Sequence, residues 1–137
     1  MTSPPKSIRV VAALVERDGR YLITQRRPSA VLPLLWEFPG GRVEPRESDA
    51  QALCREFAER LGDAVQLQVG DLISFVSHPY EHYTVDLYLY QCAFADVSAP
   101  LETRSVHGFR WVTSDEFDEL PFTPADEASM SQLLGEG

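Results

Sequence analysis

Basic residues are scarce in this chain, and so are cysteines and long apolar runs. Twelve Lys and Arg stand against 21 Asp and Glu in 137 residues, for a formal net charge of −9. A nucleic-acid backbone is bound by clustered Lys and Arg, so this balance excludes a nucleic-acid polymer as an expected partner. A mononucleotide is different, because a bound metal ion supplies positive charge locally. The two cysteines, Cys54 and Cys92, belong to no metal-ligand spacing and are expected as free, buried thiols. No apolar run approaches the roughly 20 residues of a membrane span. Val10–Val15 is short and meets charge at once, which makes it a strand and not the apolar centre of a secretory leader. A reducing cytoplasm, with no membrane, is the expected setting. What remains is 44% hydrophobic and 24% charged, enough for one domain over residues 1–137 that buries its own core.

Residues 1–6 contain Pro and Ser and are expected to be disordered. Ile8–Glu16 and Arg20–Gln25 are rich in β-formers and flank Asp18-Gly19, a strong hairpin signal. Ser29–Leu35 is expected as a loop. Val65–Val76 is a further strand region that Gly70-Asp71 interrupts, and His78–Glu81 is expected as a connection. Along His82–Phe94, Val85, Leu87 and Leu89 alternate with Asp86, Tyr88 and Tyr90, the pattern of a two-faced strand. Gly108–Val112 is a short strand. Ser114-Asp115-Glu116 opens a short helix, and Thr123-Pro124-Ala125-Asp126 opens the last, with Pro suited to the first helical position.

The densest signal is Gly40-Gly41 followed by the acidic segment Ser48–Gly62. Ser48 with Gln51 three residues on predicts a capping box, and Gly62 predicts a helix end at positive φ. At 100° per residue Ala50, Leu53, Cys54, Phe57 and Leu61 share a face expected to be buried. Glu56, Glu59 and Arg60 then fall on the opposite face, with Arg55 on its flank. Carboxylates so spaced, beside a glycine turn, suit a hard divalent cation that completes its shell with water and substrate phosphate. A solvated acidic helix face explains the same residues taken alone.

The longer spacing carries more. Gly41, Glu47, Arg55, Glu56, Phe57, Glu59 and Gly62 resemble the Nudix box, G-x5-E-x7-R-E-U-x-E-E-x-G-U with U apolar. Arg60 departs where the pattern has a second paired Glu, and Asp63 departs where it has an apolar residue. Trp36–Glu44 resembles the MutT-like branch, which cleans nucleotide pools.

The resemblance implies an α/β fold, the Nudix α-β-α sandwich with a mixed sheet and a loop-helix-loop metal site. It implies Mg²⁺ or Mn²⁺ held by the Gly40 carbonyl, Glu56 and Glu59. Glu56 orients or deprotonates water, and Arg55 pairs with Glu47 to hold the acidic face. It also implies nucleotide contacts from Arg27, Phe38 and Asp126, the last accepting a hydrogen bond from a base amine. The implied reaction is metal-dependent hydrolysis of a nucleoside diphosphate-linked molecule, foremost a nucleoside triphosphate to monophosphate and pyrophosphate. Arg60 supports a second reading, a nucleotide-binding or regulatory module with weak or no hydrolysis. Its cation either repels the metal or grips a substrate phosphate. Thr123-x-x-Asp126 also reads as a capping box. Tyr83, Tyr88 and Tyr90 are candidates to wall the base pocket. A monomer or homodimer acting on a small molecule completes the expectation.

Overall fold

Strand β1 (Lys6–Arg17) is apolar without alternation through its centre, because both of its faces are covered. Val11, Ala13 and Val15 point into one core, while Ala12 and the half-buried Val10 and Leu14 point into another. The computed structural model describes residues 6–133. Asp18 (φ 53°) and Gly19 (φ 78°) both lie in the left-handed region, which closes β1 onto β2 (Arg20–Gln25) in a tight hairpin. Then come β3 (Trp36–Glu37), β4 (Gly40–Arg42), α1 (Asp49–Leu61), β5 (Leu67–Pro79), β6 (Tyr83–Phe94) and β7 (Gly108–Val112). A single 3-10 segment, Ser114–Glu119, precedes α2 (Pro124–Leu133).

The seven strands form one mixed sheet in the order β3-β2-β1-β6-β5, with β4 beside β1 and β7 beside β2. β1 and β6 run parallel from Lys6 opposite Tyr83 to Val15 opposite Cys92; the other pairs are antiparallel. Lys6 therefore belongs to the sheet and not to a frayed end, and residues 1–5 lie outside the described part. On β6, Leu87 and Leu89 face the α2 core, while Tyr88, Tyr90 and Cys92 face the α1 core. Helices on opposite faces of a mixed sheet make the α-β-α sandwich that the resemblance implied. No described helix is long and apolar enough to cross a membrane.

Three local expectations are corrected. β5 runs on through Gly70-Asp71, which it absorbs as register shifts between Val69 and Ser74. His78 and Pro79 extend β5 opposite Val85 and Thr84, so the hairpin connection shrinks to residues 80–82. The buried stripe of α1 is Ala52, Leu53, Phe57 and Leu61, with Ala50 and Cys54 exposed. Leu53, Phe57 and Leu61 face inward as expected and Ala52 replaces Ala50 and Cys54, a roll of about half a position. Cys54 is an exposed residue whose thiol donates to the Leu67 carbonyl, while Cys92 is buried. This seating brings α1 close to β4, with the Glu56 side chain over Gly41. Burying Leu53, Phe57 and Leu61 fixes it, at roughly 1.5–3 kcal/mol each.

Candidate active site

One open cleft of about 740 Å³ runs from the α1 flank to the start of α2. Its walls include Gly40, Gly41, Glu44, Glu56 and Arg60 at one end, and Arg26, Glu37, Phe38, Tyr80, Tyr83 and Asp126 at the other.

At the helix end, each terminus of α1 is held by specific bonds. The Ser48 hydroxyl accepts from the Gln51 amide at 3.1 Å, and the Gln51 side chain accepts from the Ser48 amide at 2.9 Å, the expected capping box. Gly62 takes φ 95° and donates its amide to the Ala58 carbonyl. The loop after β6 serves the remaining carbonyls. The Glu102 amide donates to Leu61 (2.8 Å), the Arg104 amide to Arg60 (3.0 Å) and the Ser105 hydroxyl to Glu59 (3.2 Å). This second anchor carried no sequence signal, because the loop lies some 40 residues along the chain from the helix end it closes.

Arg55 then organises the carboxylates. It grips Glu47 with two parallel bonds, Nε to Oε2 at 2.7 Å and Nη2 to Oε1 at 2.9 Å, a geometry only a guanidinium offers. Its Nη1 reaches Glu56 at 2.9 Å and Glu59 at 3.3 Å, and its Nη2 donates to the Arg42 carbonyl at 2.9 Å. Glu47 is turned towards it by Arg46, whose φ of 68° costs roughly 1–2 kcal/mol in a non-glycine residue. The Arg55 bonds, then the Glu44 amide, hold the Glu47 carboxyl down to about 2. Arg60 lies against the far side of Glu56, Nε to Oε2 at 3.3 Å. Gly40 admits no side chain, because a Cβ would overlap the Val11 carbonyl, and a Cβ at Gly41 would displace the Glu56 carboxylate.

Glu56 and Glu59 lie side by side on one guanidinium nitrogen, a pair of hard oxygen donors, and the Gly40-Gly41 pair beside Glu56 is part of strand β4 and not the expected turn. Among the described residues no three His, Cys, Asp or Glu side chains converge as a ready ligand cluster. Two carboxylates with a backbone oxygen would suit an ion that keeps water and substrate phosphate as its other ligands. Glu56 is nearly buried, whereas Glu59 is 57% exposed and outside the cleft wall.

The other end is built differently. Asp126 is buried; its Oδ1 accepts from the Phe38 amide at 2.9 Å and its Oδ2 accepts from the Thr123 hydroxyl. The Thr123–Asp126 relation is thus side chain to side chain and ties α2 to the segment between β3 and β4. Glu37 lies beside it, paired with Arg26 Nη1 at 3.3 Å. Burial, then the Glu37 charge, pushes the Asp126 carboxyl up to about 7. Burial raises Glu37 too, opposed first by Arg26 and then by Arg60. Nothing in the sequence marked Glu37, which sits between Trp36 and Phe38 like any solvent-facing residue of a strand.

The remaining candidates separate. Phe38 lines the cleft but packs its ring edge-on to Phe117 in the α2 core, so its polar contribution is the amide given to Asp126. Arg27, expected at the nucleotide, is turned out of the cleft and donates to the Arg104 carbonyl. The arginine that lines the cleft is its neighbour Arg26. Tyr83 reaches the wall and stacks on Tyr80 at 5.3 Å, whereas Tyr88 and Tyr90 face the α1 core. Tyr80, whose hydroxyl accepts from the Ala125 amide at 3.1 Å, was not anticipated.

Several known proteins are similar to this chain in sequence or in fold. The chain is 38% identical over 121 residues to the CTP pyrophosphohydrolase of Escherichia coli (strain K12), covering 88% of this chain and 87% of that protein. It is 29% identical over 133 residues to the 8-oxo-dGTP diphosphatase of Haemophilus influenzae, covering 96% and 94%. The solution structure of the E. coli ORF135 protein superposes with a TM-score of 0.79 at 33% identity, over 96% of this chain and 91% of that one. The NUDIX domain family matches residues 10–132. With the box folded as loop, helix and loop around Arg55, the chain belongs to the Nudix hydrolase family, in its MutT-like branch.

Proposed function

We propose that the protein hydrolyses a nucleoside triphosphate to the monophosphate and pyrophosphate, and that it prefers a base bearing an exocyclic amine, cytosine first. The observation that carries this reading is the single cleft joining the Glu56 end to the Asp126 end. One water is consumed and one phosphoanhydride bond is broken. Glu56, Glu59 and the Gly40 carbonyl hold Mg²⁺ or Mn²⁺, which when bound neutralises phosphate oxygens and acidifies water. Glu56 orients the attacking water and takes its proton on a carboxylate oxygen. Arg55 and Glu47 are positioning residues that fix the direction of that carboxylate. At the far end Asp126 accepts from the base amine, held in place by the Phe38 amide and Thr123. Tyr83 and Tyr80 offer a face for the base. The cytosine preference is favoured by the CTP pyrophosphohydrolase relative. Catalysis comes mainly from positioning and charge, as in phosphoryl transfer generally.

A second reading, nucleotide binding with little turnover, is favoured by Arg60 standing on the carboxylate that the metal needs. One experiment separates the two. Purified protein is given a panel of canonical and oxidised nucleoside triphosphates with Mg²⁺ or Mn²⁺, and pyrophosphate is measured. Release with CTP above UTP is the expected result; no product from any member selects the binding reading.

A further inference from the structure

An arginine in the last turn of an exposed helix ordinarily runs its stem along the surface and puts its head in water. Arg60 does the opposite. Its side chain is 24% exposed and its Nε is buried, lining the cleft. The Glu56 carboxylate is within ion-pair distance of that Nε but off the N–H direction, so the Nε has no hydrogen-bond partner among the described residues. A guanidinium carries five N–H donors in a fixed fork. A buried donor without an acceptor is unfavourable, and it is the terminal Nη donors of the same fork, neither buried nor hydrogen-bonded among the described residues, that are open to a ligand in the cleft. Glu56 itself has less need of a second cation, because Arg55 already bonds it at 2.9 Å. Arg60 lines the same cleft wall as Glu56 and Glu37. Its backbone is not free to withdraw, since the Arg104 amide caps its carbonyl.

We infer that Arg60 is a substrate-binding residue, a built-in cation that grips the phosphate chain between Glu56 and the base end. This rests on the nucleotide reading above and adds to it a consequence: the protein holds the phosphate chain in the absence of a divalent ion. The departure of Arg60 from the box is then a transfer of part of the metal's charge to the polypeptide. Arginine suits this better than lysine, because its planar fork meets two phosphate oxygens at once.

The test is calorimetric binding of inorganic pyrophosphate and of a non-hydrolysable CTP analogue, each with EDTA and with Mg²⁺. It compares the wild type with Arg60→Met, which keeps much of the stem, and Arg60→Lys, which keeps the charge without the fork. Thermal melts accompany each, and Arg60→Lys carries the comparison if Arg60→Met does not fold. In EDTA the wild type is expected to bind both ligands. Arg60→Met should weaken that binding about 10- to 100-fold, the range of one or two charge-assisted hydrogen bonds, with Arg60→Lys in between. Mn²⁺ binding without nucleotide, followed by electron paramagnetic resonance, should tighten in Arg60→Met. Binding that needs Mg²⁺ in the wild type, and is the same in both variants, overturns the inference alone. No binding by any protein in either condition overturns it together with the nucleotide reading.

Discussion

The two ends of the cleft use carboxylates in opposite ways. At the α1 end Glu47 and Glu56 are wrapped by guanidinium and amide donors, and Glu47 is held charged down to about pH 2. At the α2 end burial drives both Asp126 and Glu37 towards their neutral forms, and the Glu37 charge adds to the rise at Asp126. A clamp that keeps charge fixed suits a site that must meet a cation and phosphates. An environment that leaves a carboxyl poised near neutrality suits the reading of donors and acceptors on a base. Residue type is the same at both ends, and only the surroundings divide the labour.

The sharpest break of that contrast is Glu56→Gln, which keeps shape and removes both charge and basicity. It should lower kcat by about 10²- to 10⁴-fold with the melting temperature nearly unchanged. An unaltered kcat would remove Glu56 from the chemistry. Asp126→Asn acts at the other end and on selectivity. Its oxygen still accepts from Phe38 and its amide donates to Thr123, so the fold should hold. The preference for CTP over UTP should fall about 10- to 100-fold, while a uniform loss on all substrates would show that Asp126 does not read the base.

Glu47→Gln should cost about 10-fold in kcat by loosening Arg55, with KM for nucleotide little changed. The smallest effect is also the most direct comparison, stability against pH. Glu47 has a folded value below its ordinary one of about 4.3, so its stabilisation is present above that pH and is lost as pH falls towards 2. Asp126 has a folded value above its ordinary one of about 3.9, so ionising it disfavours the fold increasingly from about pH 4 to 7. Melting curves from pH 2 to 8 should therefore show the Glu47→Gln deficit vanishing in acid. The Asp126→Asn melting temperature should rise relative to wild type up to pH 7. Parallel curves for both variants would mean that the two ends are not electrostatically distinct.

The sequence carried the local features well, because each rests on neighbours in the chain. Ser48 and Gln51 cap as their spacing requires, Asp18-Gly19 turns the hairpin, and Arg55 and Glu47, eight apart, meet along the first turns of α1. The sandwich and the box were legible through family likeness. What stayed hidden depends on tertiary approach. The roll of α1, which brings Ala52 inward and leaves Ala50 and Cys54 outside, depends on how the helix seats against the sheet and β4, elements that are not its neighbours along the helix. Glu37 gains its role only when α2 brings Asp126 beside it. Arg26 and Arg27 are adjacent in sequence, and the end of β2 decides which of them enters the cleft.

Helix α1 is a rod clamped at both ends, by its own capping box at Ser48 and by the distant loop at Glu102–Ser105. Clamps of this kind set angular phase as well as position. With side chains reaching about 5–6 Å from the axis, a rotation of about 10° sweeps a carboxylate tip through roughly 1 Å. A displacement of that size is enough to cost on the order of 10²-fold in a reaction that depends on alignment. The loop after β6 is not part of the cleft wall, yet its bonds to the last turn lock the rotation of α1. Changes in its backbone should appear as lost aim of Glu56 before they appear as lost fold.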